Sequence, residues 1–226
     1  MYFGIIGALQ AEVDLIKGKM AVDREEEMLG TCFYHGHIGR HEAVIVKCGV
    51  GKINAAACAM VLLREFGADF IINAGIAGAM ADGLRTMDVV ISSRAALHDQ
   101  DPIMLGYYPG KQFFEAEPSL IQLCEDACSC LDLEGKYIVG TVASGDIFVS
   151  DNQTKRRIKE AFDPACVEME GGAVAHVSYM NGKPFLIIRT MSDCADEDAS
   201  QTYDDLFERA AHQSAQIVLK MLEIAK

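Results

Sequence analysis

The chain has 226 residues, half of them hydrophobic, enough for one large domain with a sizeable core. Its 20 basic and 33 acidic residues give a net charge of -13, and no window forms a basic stripe. Nucleic acid, whose binding relies on neutralising phosphates with Lys and Arg, is therefore not an expected partner; a small neutral or cationic ligand suits the balance better.

In chain order, "YFGIIGAL" (2–9) reads as a buried strand, followed by a helical pattern from Gln10 to about Lys19. This opening has no positively charged n-region, and Gln10 and Glu12 interrupt its apolar run. It does not read as a signal peptide, and a cytoplasmic location is expected. Two strands, near 31–38 and 42–48, form a hairpin pattern pivoting on "GRHE". His35, His37 and His41 are expected there as outward polar groups rather than metal ligands. "GKINAAACAMVLLREFG" (51–67) is a helix apolar nearly all round, with Gly67 as its stop signal. "DFIINAG" (69–75) and "DVVISSRAALHD" (88–99) are strand-like. Residues 100–116, with Pro102, Pro109 and several aromatics, are expected as a long loop. A helix over 117–131 precedes the strand "KYIVGTVAS" (136–144), and "DNQTKRRIKEAF" (151–162) is a polar helix capped by Asp151. "CVEME" (166–170) is a short strand, "GGAVAHVSYM" (171–180) a helix and "PFLIIRTMS" (184–192) a buried strand. "TYDDLFERAAHQSAQIVLKMLEIA" (202–225) is a long amphipathic helix. No stretch approaches the run of about 18 uncharged apolar residues that a membrane span needs.

Eight scattered cysteines in such a chain read as free buried thiols. Cys124, Cys128 and Cys130, spaced C-x3-C-x-C, have no nearby His and are not expected to hold a metal. No cofactor is expected.

Alternating strands and helices, with near-continuous apolar strands and an early hairpin, predict an α/β fold. It is a three-layer α/β/α sandwich with a central mixed, twisted sheet. No linker or repeat divides the chain, so residues 1–226 are expected to be one domain. In such folds ligands bind beyond the carboxyl ends of the strands. Six segments stand where apolar strands stop: 7–12, 48–52, 73–78, 143–149, 168–172 and 190–193. Five of them combine Gly or small residues with an acid, amide or hydroxyl, and 48–52 combines two glycines with Cys48 and Lys52, which suggests one site rather than six independent turns.

Three carboxylates stand out at these ends: Glu12, Glu170 and Asp193. "GALQAE" has neither the second glycine nor the lysine of a phosphate-binding loop. A site rich in acids and poor in cations suits a substrate that develops positive charge, such as an oxocarbenium-like sugar cleaved with one acid and one base.

The motifs "GIIGALQAEV", "GVGKINAAA", "INAGIAG", "SGDIFV", "VEMEGGAVAHV" and "IIRTMSDCAD" occur in this order along nearly the whole chain. In them the chain resembles the 5'-methylthioadenosine/S-adenosylhomocysteine nucleosidases of the purine nucleoside phosphorylase superfamily. The resemblance implies a nucleoside phosphorylase-like fold and hydrolysis of an N-glycosidic bond to adenine and a 5-thio-substituted ribose, in methionine salvage. It implies that Asp193 protonates adenine N7, that Glu12 acts on the attacking water, and that Glu170 accepts hydrogen bonds from the ribose hydroxyls. Met169 would lie beside the sugar, Phe148 would stack on adenine with the main chain of Val149 reading its edge, and Gly78 would let backbone approach the ligand. Leu9, Val50 and Tyr203 match positions lining an apolar pocket for the 5'-thio group. It also implies a homodimer in which loop 100–110 reaches into the neighbouring site.

The chain departs from the family pattern at Ile76, where several members have Ser in a "GSAGG" turn, and at Ala79, which replaces the second glycine. Pro102 and Leu105 are also unusual, and they bear on the 5' substituent. Taken singly, each site residue has a plain structural role. Glu12 could serve only the N-terminus of a helix, Asp193 could be an N-cap, and Phe148 and Met169 could be core. His98 and His176 are read as structural. Arg189, inside an apolar strand, is read as the ion-pair partner of an acid such as Glu168, and Glu170 as the acid left for the ribose.

Three rivals stand beside hydrolysis of a 5'-thio nucleoside. A phosphorolytic relative would want Arg near the first strand end, where this chain has Gln10 and Glu12, and a Glu beside phosphate is repulsive. A futalosine-type nucleosidase would differ only in its 5' pocket. A nucleoside-binding sensor without catalysis could lose Glu12 or Asp193, and both are present.

Overall fold

The computed structural model describes the backbone of residues 1–193 and 203–226, and the side chains of these except 193, 203 and 204. The elements run β1 (Tyr2–Gly7), α1 (Gln10–Lys17), β2 (Ala21–Met28), β3 (Thr31–Ile38), β4 (His41–Lys47), α2 (Lys52–Arg64), β5 (Phe70–Ala79) and β6 (Val89–Leu97). A 3-10 turn (Pro102–Gly106) and the two-residue β7 (Phe114–Glu115) follow, then α3 (Pro118–Ser129), β8 (Tyr137–Ser144) and α4 (Asn152–Phe162). The remainder is β9 (Cys166–Glu168), α5 (Gly171–Met180), β10 (Phe185–Asp193) and α6 (Tyr203–Ile224).

One mixed sheet holds the described strands. β1 lies between β4 and β5, parallel to both, while β3 and β2 extend the far edge antiparallel. At the other end β5 pairs with both β10 and β9, and β6 and β8 connect those two, so five strands close on one another. The central strands are apolar throughout because both faces are buried, and side chains alternate between them. Phe3 and Ile5, with Ala43 and Ile45, join the core under α1, α3 and α6. Ile6, Val44 and Val46 join the opposite core under α2 and α5. On α6, Ala211, Ala215, Val218 and Leu222 recur every three or four residues and are buried, the stripe that docks it. Asp151 caps α4 as expected, its carboxylate accepting from the backbone N–H groups of Gln153 (2.9 Å) and Thr154 (2.8 Å).

The structure corrects several expectations. β2, not expected at all, is a solvent-exposed edge strand carrying Asp23, Glu25, Glu26 and Glu27. The hairpin turn is where it was expected, but His41 faces inward, edge-on to Phe3 and near the Ala225 carbonyl, while His37 does pair outward with Asp23. β5 continues to Ala79 rather than ending at Gly75, because β10 pairs alongside it as far as Gly78. The segment 100–116 is loop-like apart from its 3-10 turn and β7. Cys48, Cys58, Cys124, Cys128 and Cys166 are buried thiols, but Cys130 is exposed.

Candidate active site

All six strand-end segments contribute to one cavity of about 180 Å³. Ala8, Leu9 and Glu12 come from the first, Val50 from the second, and Ile76, Ala77 and Gly78 from the third. Ile147, Phe148 and Val149, then Glu168, Met169 and Glu170, then Ser192 supply the rest, and Phe207 of α6 closes one side. Among the described residues, no Lys or Arg lines it. Every expected site residue with a described side chain is therefore at this cavity: Leu9, Glu12, Val50, Gly78, Phe148, Val149, Met169 and Glu170. The side chains of Asp193 and Tyr203 lie outside the described residues; the backbone of Asp193 pairs with Gly78 on the cavity wall.

Glu12 occupies the third position of α1, and its carboxylate reaches back to the helix entry. One oxygen accepts from the N–H groups of Ala8 (2.6 Å) and Leu9 (2.9 Å), the other from Ile76 N–H (3.1 Å). The helix-terminal role and the cavity role are thus one arrangement. It needs the absence of a side chain at position 75, where an added Cβ would collide with Glu12 Oε1. Burial pushes the Glu12 carboxyl above the ordinary carboxylate range, and nearby Arg189 and the three N–H donors only partly offset this.

The two glutamates of "VEME" are not equivalent. β9 stops at Glu168, and Glu170 takes up φ -130° and ψ -45° as the residue entering α5, so strand alternation breaks between them. Glu168 is held entirely by protein. It accepts from the Ser144 hydroxyl, from Glu170 N–H (3.0 Å) and Gly171 N–H (2.7 Å), and from the Arg189 guanidinium. Burial alone would raise its pKa, but Arg189 and these donors hold it below the ordinary carboxylate value. The expected Arg189–Glu168 ion pair is present, and Asn73 anchors the guanidinium through its carbonyl (3.1 Å) and its side-chain oxygen (2.5 Å). Glu170 accepts from Gly51 N–H (2.8 Å) and otherwise faces the cavity. Burial, and then the charge of Glu168, push its carboxyl up to about 7.

Glu170 binds its proton more tightly folded than unfolded, so its favourable contribution is complete below the ordinary value and is lost as pH rises through about 7. Glu170→Gln should therefore raise the unfolding free energy at pH 8 but not at pH 4, by up to about 3 kcal/mol. It should also cut kcat/KM by about 10–100-fold through loss of a charged acceptor. A variant equally stabilised at both pH values in urea unfolding would refute the assignment.

Sequence reasoning missed Phe207 and the turn at Gly51. Phe207 lies four residues after Tyr203 in a segment expected to be helical, and this i, i+4 spacing could have found it. Gly51 sits at φ +102°, a conformation glycine tolerates, and this directs its N–H at Glu170.

The cavity lies beyond the strand ends of a partly closed mixed sheet and is walled by acids and apolar groups, and residues 2–223 of the chain that builds it match the phosphorylase superfamily. A 5'-methylthioadenosine/S-adenosylhomocysteine nucleosidase of Treponema pallidum is 39% identical over 99% of this chain and 93% of its own. The crystal structure of an S-adenosylhomocysteine nucleosidase from Streptococcus pyogenes, with 5-methylthiotubericidin bound, superposes with a TM-score of 0.90 at 36% identity, covering 100% of this chain and 98% of that one. A futalosine hydrolase of Helicobacter pylori shares the fold at a TM-score of 0.88 and 28% identity, over 99% of this chain and 97% of that one. The chain belongs to the 5'-methylthioadenosine/S-adenosylhomocysteine nucleosidase family of this superfamily.

Proposed function

We propose that this chain is an N-glycosidic hydrolase that releases adenine from 5'-methylthioadenosine and S-adenosylhomocysteine. The observation that carries this reading is the placement of Glu12 and Glu170 in one cavity whose described lining has no cation. A ribose ring acquiring positive charge at C1' is stabilised there by carboxylates, whereas a phosphate nucleophile would meet repulsion. Glu12, with its pKa raised by burial, is suited to take a proton from the attacking water near neutral pH. Glu170 accepts the ribose hydroxyls with Met169 beside the sugar, and Phe148 and Val149 hold adenine. Asp193 protonates adenine N7 so that the base leaves neutral. Leu9, Val50 and Tyr203, joined by Phe207, take the apolar 5'-thio group, and Gly78 forms part of the wall against the ligand.

The rest of the reading is that residues 1–226 act as one domain in the cytoplasm, as a homodimer whose loop 100–110 completes the neighbouring site. Exposed Ile103, Met104, Leu105, Tyr107 and Tyr108 on that segment support this, since a row of large apolar groups favours burial against a partner. Among the described residues, no helix is long and apolar enough to cross a membrane.

The test follows adenine and sugar products from methylthioadenosine with and without phosphate, with futalosine in a parallel arm. Phosphate-independent release of adenine and 5-methylthioribose is expected. Release that requires phosphate would overturn hydrolysis, turnover of futalosine alone would reassign the 5' pocket, and no release would favour a nucleoside-binding sensor.

A further inference from the structure

The two halves of the cavity meet at a charged clasp that does not itself line it. The turn after β4 carries Gly51, whose N–H holds Glu170, and α2 opens at Lys52, whose backbone N–H donates to Asp146 Oδ1 (2.8 Å). Asp146 belongs to the segment 145–149 that bears Phe148 and Val149. Its own backbone N–H donates to Asp99 Oδ2 (2.9 Å), and the other oxygen of Asp99 receives the Lys52 ammonium (2.6 Å). The side chains of Lys52 and Asp99 are 22% and 13% exposed, so solvent only partly screens the pair. The preceding residue reinforces the seat: His98 N–H donates to the Ser144 carbonyl (2.9 Å). The ring of His98 lies so close to Gly145 that an added Cβ would collide with it. Segments around 51, 99 and 146 are thereby locked together, and through Gly51 they reach the acid at 170.

We propose that Asp99, acting through Lys52 and Asp146, is a positioning residue that fixes the Phe148 segment relative to Glu170, and so sets affinity for the purine base. This rests on the nucleosidase reading for its substrate but not for its geometry. Beyond the bond from Gly145 N–H to the Glu168 carbonyl (3.1 Å), the segment 145–149 has few holds of its own: Ile147 and Phe148 are exposed, and only Val149 packs onto the small apolar group of Ala143, Ile158 and Val167. Loss of the Asp99 acceptor frees Asp146, just before Ile147 and Phe148, and loss of the Lys52 charge loosens the turn that holds Glu170. Because Glu170 keeps its own bond from Gly51, the effect falls on binding more than on turnover.

The experiment compares Asp99→Ala, Asp99→Asn and Lys52→Met with the parent protein. It reads KM and kcat for methylthioadenosine, adenine affinity by calorimetry, and backbone hydrogen exchange. Asp99→Ala should raise KM and the adenine Kd about tenfold, the order expected for one charge-assisted hydrogen bond, with kcat changed less than about threefold. Asp99→Asn, which keeps an acceptor for Asp146 N–H, should recover part of the affinity. Asp99→Ala combined with Lys52→Met should be no worse than the more damaging single change, because the two act as one unit. Exchange should quicken in both 145–149 and 49–52 while α6 is unchanged. An adenine Kd within twofold of the parent, or a fall in kcat at constant KM, would overturn the proposal. So would unchanged exchange in either segment, whatever the enzyme turns over; failure of the parent protein to release adenine would instead count against the nucleosidase reading. Asp99→Asn and Lys52→Met keep these readouts available if Asp99→Ala does not fold.

Discussion

Exchanging Glu12 for Gln, or Asp193 for Asn, should lower kcat on methylthioadenosine by about 10²–10⁴-fold, the span of one general acid or base. Substrate binding should survive in both. The two amides test opposite ends of one bond cleavage. On the proposed mechanism, loss of Asp193 would make the departing purine leave as an anion, and loss of the carboxylate at position 12 would leave the attacking water its proton as it approaches C1'. The Glu12→Gln amide is close in shape to the carboxylate, but its NH₂ group cannot accept. At least one of the three N–H donors from Ala8, Leu9 and Ile76 therefore loses its partner. A modest loss of melting temperature should accompany the kinetic loss in Glu12→Gln. A full pH–rate profile separates the two effects. The parent kcat/KM should fall on the acid side as the buried carboxylates, raised by burial, take up protons. Glu12→Gln should lose part of that limb, and a near-parental rate for either amide would remove that residue from the mechanism.

The doubly buried strands were legible because a short apolar run bounded by Gly or polar residues has few other readings. β2 was not, because with both faces in solvent its acids follow no period; charge on an edge strand guards against pairing with other chains rather than building a core. His41 escaped notice for the opposite reason, since a lone polar residue on a hairpin gives no sign that a terminal helix will cover it. At the site, Glu12 posed a choice between helix terminus and cavity wall that the fold does not make: one carboxylate takes the helix-entry N–H groups and lines the cavity. The Glu168–Arg189 pair could be inferred because two buried charges in apolar strands must find each other. The clasp of Lys52, Asp99 and Asp146 could not, since each member lies 47 residues from the next and each alone resembles an ordinary surface charge.

Arg189→Met should be the most destabilising substitution among the site residues, and its damage should grow with pH. The guanidinium is 2% exposed, and three buried carboxylates, Glu168, Glu12 and Glu170, all draw on its charge. Removing one partner of a buried pair leaves the other uncompensated, worth about 3–5 kcal/mol. For a chain of this size that is a fall of about 6–20 °C in melting temperature. In the parent, Glu168 titrates below its ordinary value, so its stabilising contribution is present at neutral pH and is lost as pH falls through the folded value. Without Arg189, desolvation dominates and the sign inverts: Glu168 holds its proton more tightly folded than unfolded, and stability is lost as pH rises. The deficit of Arg189→Met should therefore be larger at pH 8 than at pH 5. Glu168→Gln should be milder, because Arg189 still faces Glu12 and Glu170 and keeps its bonds to Asn73 and the Ile188 carbonyl. The double change Glu168→Gln with Arg189→Met should recover part of the loss, since it removes the stranded charge along with its partner. Urea unfolding of the four proteins at both pH values decides the matter. Equal deficits at pH 5 and pH 8, or a Glu168→Gln protein weaker than Arg189→Met, would show that the guanidinium is not the common counter-charge of the site.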